Sequence, residues 1–271
     1  MQTDADRKDA EPTVLTQGLY LYCIVNGGQE VNFGKIGIEE NEVYMIPYED
    51  IGVVVHTCLP KAYKSENAKT VTEWILAHQK VVEKAWKKFG TVLPLGFDTI
   101  VKSGESVSAE QNLMKWLKEN YENLKSKIKR VRGKVEVGIQ IFWNPTIIAQ
   151  DLAETNQEIS KLKEEMEKKP PGMAYFYKQK MEQALRKALD EKADAFFKGF
   201  YGRIRRYADD IRVEKTKKVD KSKQMLINLS VLVHKDKIQP LGEELAKIKE
   251  LKELDLRFTG PWPPYSFVAP T

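Results

Sequence analysis

LDLRFTGPWPPYSF, residues Leu254 to Phe267, is the stretch furthest from ordinary composition, and its reading fixes how the chain before it is divided. Leu254, Leu256 and Phe258 alternate with Asp255, Arg257 and Thr259, the period of two expected of a half-buried strand. That strand is expected to end near Thr259. From Pro261 to Pro264 three of four residues are proline, so the chain there is expected neither to continue a ladder nor to start a helix. A stiff, extended C-terminal arm over residues 260–271 is the result. Its aromatic residues can each bury roughly 150–250 Å², so Trp262, Tyr265 and Phe267 are not expected to be left in water. Trp262, Pro263, Pro264, Tyr265 and Phe267 are therefore read as residues that dock the arm on the protein's own body, with docking on a partner as the alternative.

Upstream, Lys134–Trp143 alternates Val135, Val137, Ile139 and Ile141 with Glu136, Gly138 and Gln140, the clearest strand pattern in the sequence. A helix marked by Ile148, Leu152, Ile159, Leu162 and Met166 follows, ended by Pro170-Pro171-Gly172. A long helix is expected from about Ala174 to Tyr207, then strands over Ile211–Lys215 and Gln224–His234, a helix over Ile238–Leu251, and the strand Glu253–Phe258. From Lys134 the order is β-α-β-β-α-β, the series of a ferredoxin-like sandwich, with an extra helix after its first strand.

The first half reads as a separate α+β domain. Gly18–Val25 is apolar on both faces, as a central strand is. Glu42–Ile46 and Ile51–Thr57 are two more strands, linked through Pro47-Tyr48-Glu49-Asp50. Thr70 and Glu73 have capping-box spacing ahead of the stripe Val71, Trp74, His78, Val81 and Ala85; Gly90 stops that helix, and Val92–Leu95 is a further strand. Ser108 and Gln111 repeat the spacing before Leu113, Leu117, Tyr121, Leu124 and Ile128. The fold class is thus α+β in two domains: a disordered leader at 1–17, an N-terminal domain at 18–132, a ferredoxin-like domain at 133–259, and the arm.

With 42% hydrophobic and 31% charged residues among 271, the composition is that of a globular protein. No apolar run reaches the roughly 20 residues a membrane-spanning helix needs, and the first residues lack the apolar centre of a secretory signal. A cytoplasmic location is expected, with Cys23 and Cys58 as free thiols. The net charge of +5 is concentrated: residues 198–223 hold ten Lys or Arg against four Asp or Glu. Lys198, Arg203, Arg205, Arg206, Arg212, Lys215, Lys217 and Lys218 are the candidate protein-binding residues of this basic face. The bland alternative is cations complementing a helix C-terminus beside a solvated loop.

Reaction chemistry finds little support. The sequence has no phosphate-binding G-x-x-x-x-G-K-[ST], no H-E-x-x-H, no C-x-x-C and no G-x-S-x-G. His78 lies on an apolar helical stripe, where a hydrogen-bonded core histidine is the commoner state. His56 and His234 stand at strand ends without metal-ligand spacing. Cys58 and His56 share a strand face, which alone does not make a catalytic pair. Gly34-Lys35-Ile36-Gly37 reads as a turn among strands. No catalytic residue, metal site or cofactor is expected.

Thr259–Phe267 resembles the C-terminal signature of the GvpL/GvpF family of gas vesicle proteins. Val92-Leu93-Pro94-Leu95-Gly96-Phe97-Asp98-Thr99 and the opening strand Gly18–Val25 are similar to that family as well, so the resemblance spans residues 18 to 267. One departure is Gly96-Phe97-Asp98, where the family leads one to expect a basic residue and then Phe-Gly. The resemblance implies a non-enzymatic accessory or minor structural protein of gas vesicles, the gas-filled, protein-shelled buoyancy organelles. Its implied role is that of a monomer that binds the very hydrophobic shell protein and other accessory proteins during assembly. From the residues alone, the alternative is a nucleic-acid-binding module using the basic 198–223 face.

Overall fold

The computed structural model describes residues 17–217 and 223–268. The expected leader therefore lies outside the described residues except for Gln17, whose carbonyl accepts the Ser103 N–H. The described chain forms two compact units. One holds the residues up to Gly133 together with those from Pro263 onward; the other runs from Lys134 to Trp262.

The first unit contains β1 (Gly18–Asn26), β2 (Asn32–Lys35), β3 (Glu42–Tyr48), β4 (Ile51–Cys58), α1 (Ala68–Phe89), β5 (Val92–Pro94), β6 (Ile100–Lys102) and α2 (Ala109–Val131). Its sheet runs β2-β3-β4-β1-β5, and β6 pairs with the start of β1 while β5 pairs with its end. All pairings are antiparallel. Every residue of β1 but the last is buried, as its two-sided apolar sequence requires. A register shift between Leu21 and Cys23 changes the phase of the strand. Tyr20, Tyr22, Cys23 and Val25 consequently share one core cluster with Val81, Val82 and Ala85 of α1.

The helix boundaries follow from capping. α1 begins at Asn67, whose side chain accepts the Lys69 N–H; the capping box expected at Thr70 lies inside the first turn instead. Gly90 ends the helix in the left-handed region at φ 72°. At α2 the box is formed as read, Ser108 accepting from Gln111 N–H and the Gln111 side chain accepting from Ser108 N–H. β2 and β6 were not anticipated; at four and three residues they are too short for alternation to show. Gly34 of the supposed turn lies inside β2, at a register shift.

The second unit contains β7 (Lys134–Trp143), α3 (Pro145–Thr155), α4 (Gln157–Glu167), α5 (Ala174–Arg205), β8 (Ala208–Val213), β9 (Gln224–His234), α6 (Ile238–Lys249) and β10 (Leu254–Trp262). The strands form one antiparallel sheet in the order β10-β7-β9-β8. The single helix expected over 148–166 is two, because Asn156 ends α3 and its side chain caps α4 by accepting from Glu158 and Ile159 N–H. Phe200 and Ile204 are buried near the C-terminal end of α5, the part that packs on β8 and β9.

The last strand corrects the reading of the arm. β10 does not stop at Thr259 but continues to Trp262, pairing Trp262 with Glu136 across a register shift. A proline is tolerated there because β10 is an edge strand and Pro261 falls at the irregularity. Gly260 has φ 107°, and a Cβ on it would lie 2.9 Å from the Glu136 carbonyl oxygen, so both conformation and space call for glycine. Trp262 is 47% exposed, contrary to the expectation that it would be covered. Nor is the rest of the arm wholly extended: Tyr265–Val268 forms a single helical turn, α7.

Candidate functional site

The densest set of buried polar side chains lies on β1 of the first unit. Tyr20 and Tyr22, two residues apart, each meet a histidine from another element. The Tyr20 hydroxyl lies 2.9 Å from Nδ1 of His78 on α1, and the Tyr22 hydroxyl 2.7 Å from Nδ1 of His56 on β4. Nε2 of His56 lies 3.0 Å from the Tyr63 hydroxyl. Each tyrosine also accepts a backbone N–H, Tyr22 from Ile38 and Tyr20 from Asp98.

These contacts fix the direction of every proton. Tyr20 and Tyr22 are fully buried, so a hydroxyl proton turned away from its histidine would have no water to bond. Each hydroxyl thus donates to Nδ1, and both imidazoles carry their proton on Nε2. His56 donates that proton to Tyr63. Nε2 of His78 finds no hydrogen-bond partner among the described residues, and the Leu95 backbone favours its charged form less than burial disfavours it. Burial lowers both histidines to about 4, so they are neutral at neutral pH, and it raises both tyrosines far above their usual range. Stacking adds to the packing: Tyr20 lies parallel to His56 at 5.0 Å between ring centres and edge-on to Tyr63 and Phe97.

Such a cluster is built for rigidity. Burial pushes the Cys58 thiol up to about 11, away from the thiolate a nucleophile needs, and Cys23 is completely buried; both cysteines are free. Among the described residues, no group of three His, Cys, Asp or Glu side chains is placed to hold a metal ion. His234 lies in the other unit, beside Asp236 at 3.2 Å.

The basic residues are not equivalent. Arg203 donates from Nε to Glu244 of α6 at 2.6 Å, and Glu244 also takes Lys247 at 3.3 Å. Those cations hold the Glu244 carboxyl below its usual range. Arg205 donates to the Ala208 carbonyl at 2.9 Å, at the turn out of α5. Lys198, Arg206, Lys215 and Lys217 are exposed, with no ion-pair partner among the described residues. Arg212 is half-buried on the edge strand β8. Lys218 lies outside the described residues. Of the arm, Pro263, Pro264 and Phe267 are buried in the first unit, and Tyr265 packs against the cluster that holds Tyr20 and Tyr22. Lys127 of α2 donates to the Val268 carbonyl at 3.2 Å.

A family model described as gas vesicle synthesis protein GvpL/GvpF matches residues 18–269. The chain belongs to the GvpL/GvpF family. It is 26% identical to gas vesicle protein L1 of Halobacterium salinarum, over 95% of this chain and 92% of that one. Its identity to gas vesicle protein L of Haloferax mediterranei is also 26%, over 98% and 92%. Among solved structures, the crystal structure of GvpF from Anabaena sp. PCC7120 has the same fold, with a TM-score of 0.75 at 21% identity over 94% of this chain and 99% of that one. No helix among the described residues is long and apolar enough to cross a membrane.

In this GvpL/GvpF protein the three stretches that carried the resemblance meet. β5 pairs with β1 through Cys23–Pro94, Ile24–Leu93 and Val25–Val92, Leu95 N–H donates to the Tyr22 carbonyl, and α7 packs on β5. The departure at Asp98 has a physical reading. Asp98 has φ 68°, a conformation that suits the glycine expected there and is tolerated by aspartate. Its carboxylate, which glycine lacks, accepts the Tyr63 N–H at 2.9 Å.

Proposed function

We propose that this GvpL/GvpF protein is a non-enzymatic assembly factor that acts as a monomer in the cytoplasm, at forming gas vesicles, and binds the hydrophobic shell protein together with other accessory proteins. The observation that carries this reading is an exposed apolar tip. Met173, Tyr175 and Phe176 are 42%, 72% and 49% exposed at the start of α5. At 1.5 Å per residue, Phe176 stands about 40 Å along the helix from buried Ile204, at the end of α5 away from β8. Aromatic side chains kept in water at the end of a long helix suit contact with an apolar partner. The second unit is assigned to the ferredoxin-like class, with α3 and α4 as additions after its first strand; its strand order supports this.

Pull-down of shell protein by the full chain tests the reading. A Tyr175→Ser, Phe176→Ser variant is expected to lose capture and shift its unfolding midpoint only slightly, because the polar contacts of both side chains are with exposed neighbours on the same helix. Undiminished capture would refute it. The basic face is assigned to acidic accessory proteins through Lys198, Arg206, Lys215 and Lys217, the exposed cations. Reversing Lys198 and Arg206 to glutamate should weaken that binding at low salt. Steeply salt-dependent retention on DNA would favour the nucleic-acid reading of the same face instead.

A further inference from the structure

We propose that an open pocket beside the end of β4 binds a singly charged carboxylate with an apolar neighbour, presented by an acidic residue of a peptide segment. The pocket holds about 600 Å³, and Thr57, Leu59, Lys61, Tyr63, Lys64 and Trp74 contribute to its wall.

Three features define the ligand. The first is a directed donor. Ile38 N–H donates to Tyr22, Tyr22 to His56, and His56 to Tyr63, so the Tyr63 hydroxyl receives a hydrogen bond from the buried side and keeps its own proton to give. No acceptor for that proton is found among the described residues, and Tyr63 is a wall residue of the pocket. The second is charge. Among the lining side chains two cations, Lys61 and Lys64, stand against one anion, Glu39, while Cys58 stays protonated and the nearby Asp98 carboxylate is taken up by the Tyr63 N–H. A monoanion closes the balance of the lining, whereas a phosphate dianion would overshoot it. The third is an apolar wall: Trp74 packs edge-on to Tyr63 at 5.3 Å, and Leu59 is 49% exposed.

The pocket's openness selects a peptide over a free acid. Small-molecule sites enclose most of their ligand. Here Thr57, Leu59, Lys61, Ala62 and Lys64 are all exposed, which leaves room for a chain to enter and leave.

The test titrates the full-length protein with acetyl-Ala-Glu-Phe-Ala-amide, its glutamine counterpart and hydrocinnamate, read by amide chemical shifts. The glutamate peptide should shift Thr57, Tyr63 and Trp74, and the glutamine peptide should bind at least tenfold more weakly, since hydrogen bonds to charged groups are worth roughly 1.5–3 kcal/mol. Tyr63→Phe keeps the ring and should also lose about tenfold or more. Lys61→Gln, at an exposed position that leaves folding intact, should weaken binding and flatten its salt dependence. Equal binding of the two peptides, or an unaffected Lys61→Gln variant, would overturn the site. Hydrocinnamate binding as tightly as the peptide would overturn the peptide assignment.

Discussion

Acidification should destabilise the first unit through His56 and His78. Burial lowers both rings from 6.5 to about 4 in the folded chain, while the unfolded chain titrates near the ordinary value. Above pH 7 neither state is protonated, so the rings contribute no pH dependence. As pH falls through 6.5 the unfolded state gains protons that the folded state refuses, and stability drops until the folded rings titrate near 4. The difference amounts to about 2 kcal/mol for each ring at pH 5 and about 3 kcal/mol at pH 4. Urea titrations at pH 7, 6 and 5 should show this loss. A His78→Asn variant, whose side-chain oxygen can still accept from Tyr20, should show about half of it. Every other titratable group is common to both proteins, so the difference between the two curves isolates His78. If His78→Asn loses as much stability from pH 7 to pH 5 as the parent, the account of a buried neutral histidine is wrong.

Tyr22→Phe should cost about 2–4 kcal/mol with little change in packing, because it orphans both the Ile38 N–H and His56 Nδ1; a change in unfolding free energy below about 0.5 kcal/mol would contradict the assigned chain of donors. Asp98→Ala should lose about 1–3 kcal/mol, combining left-handed strain with the lost Tyr63 contact, and Asp98→Gly should be milder; the reverse order in thermal melts would discount the backbone explanation. Phe267→Ala should cost about 3–5 kcal/mol and lower hydrogen-exchange protection at β5, whereas half-exposed Trp262→Ala should cost well under half of that.

What could be read from the sequence was whatever local pattern decides. Lys134–Trp143 alternates in its own residues, and both of its ends agree with β7. Ser108 and Gln111 cap each other within four residues. The break at Asn156 escaped because the apolar stripe of 148–166 runs on through it, and only the side-chain bonds to Glu158 and Ile159 show that a helix restarts there. β10 was cut short because proline excludes a residue from a ladder in general, but not at an irregular edge position that only the sheet order reveals. The tyrosine–histidine pairs join residues 34 and 58 positions apart, a distance no spacing rule covers. The Tyr175–Phe176 tip was missed for the opposite reason: aromatic residues near a helix start normally read as core, and nothing in their neighbours marks them as exposed.

The chain leaves the first unit at Gly133 and returns to it at Pro263. During synthesis, the ribosome therefore releases every strand of the second unit before Phe267, which completes the first. Until residues 263–268 emerge, the nascent β1–β5 sheet lacks part of its cover, although every one of its strands precedes Pro263 by more than 150 residues. A fusion placed immediately after Val268 would sit against the core of the first unit, although every residue from Lys134 to Trp262 belongs to the other.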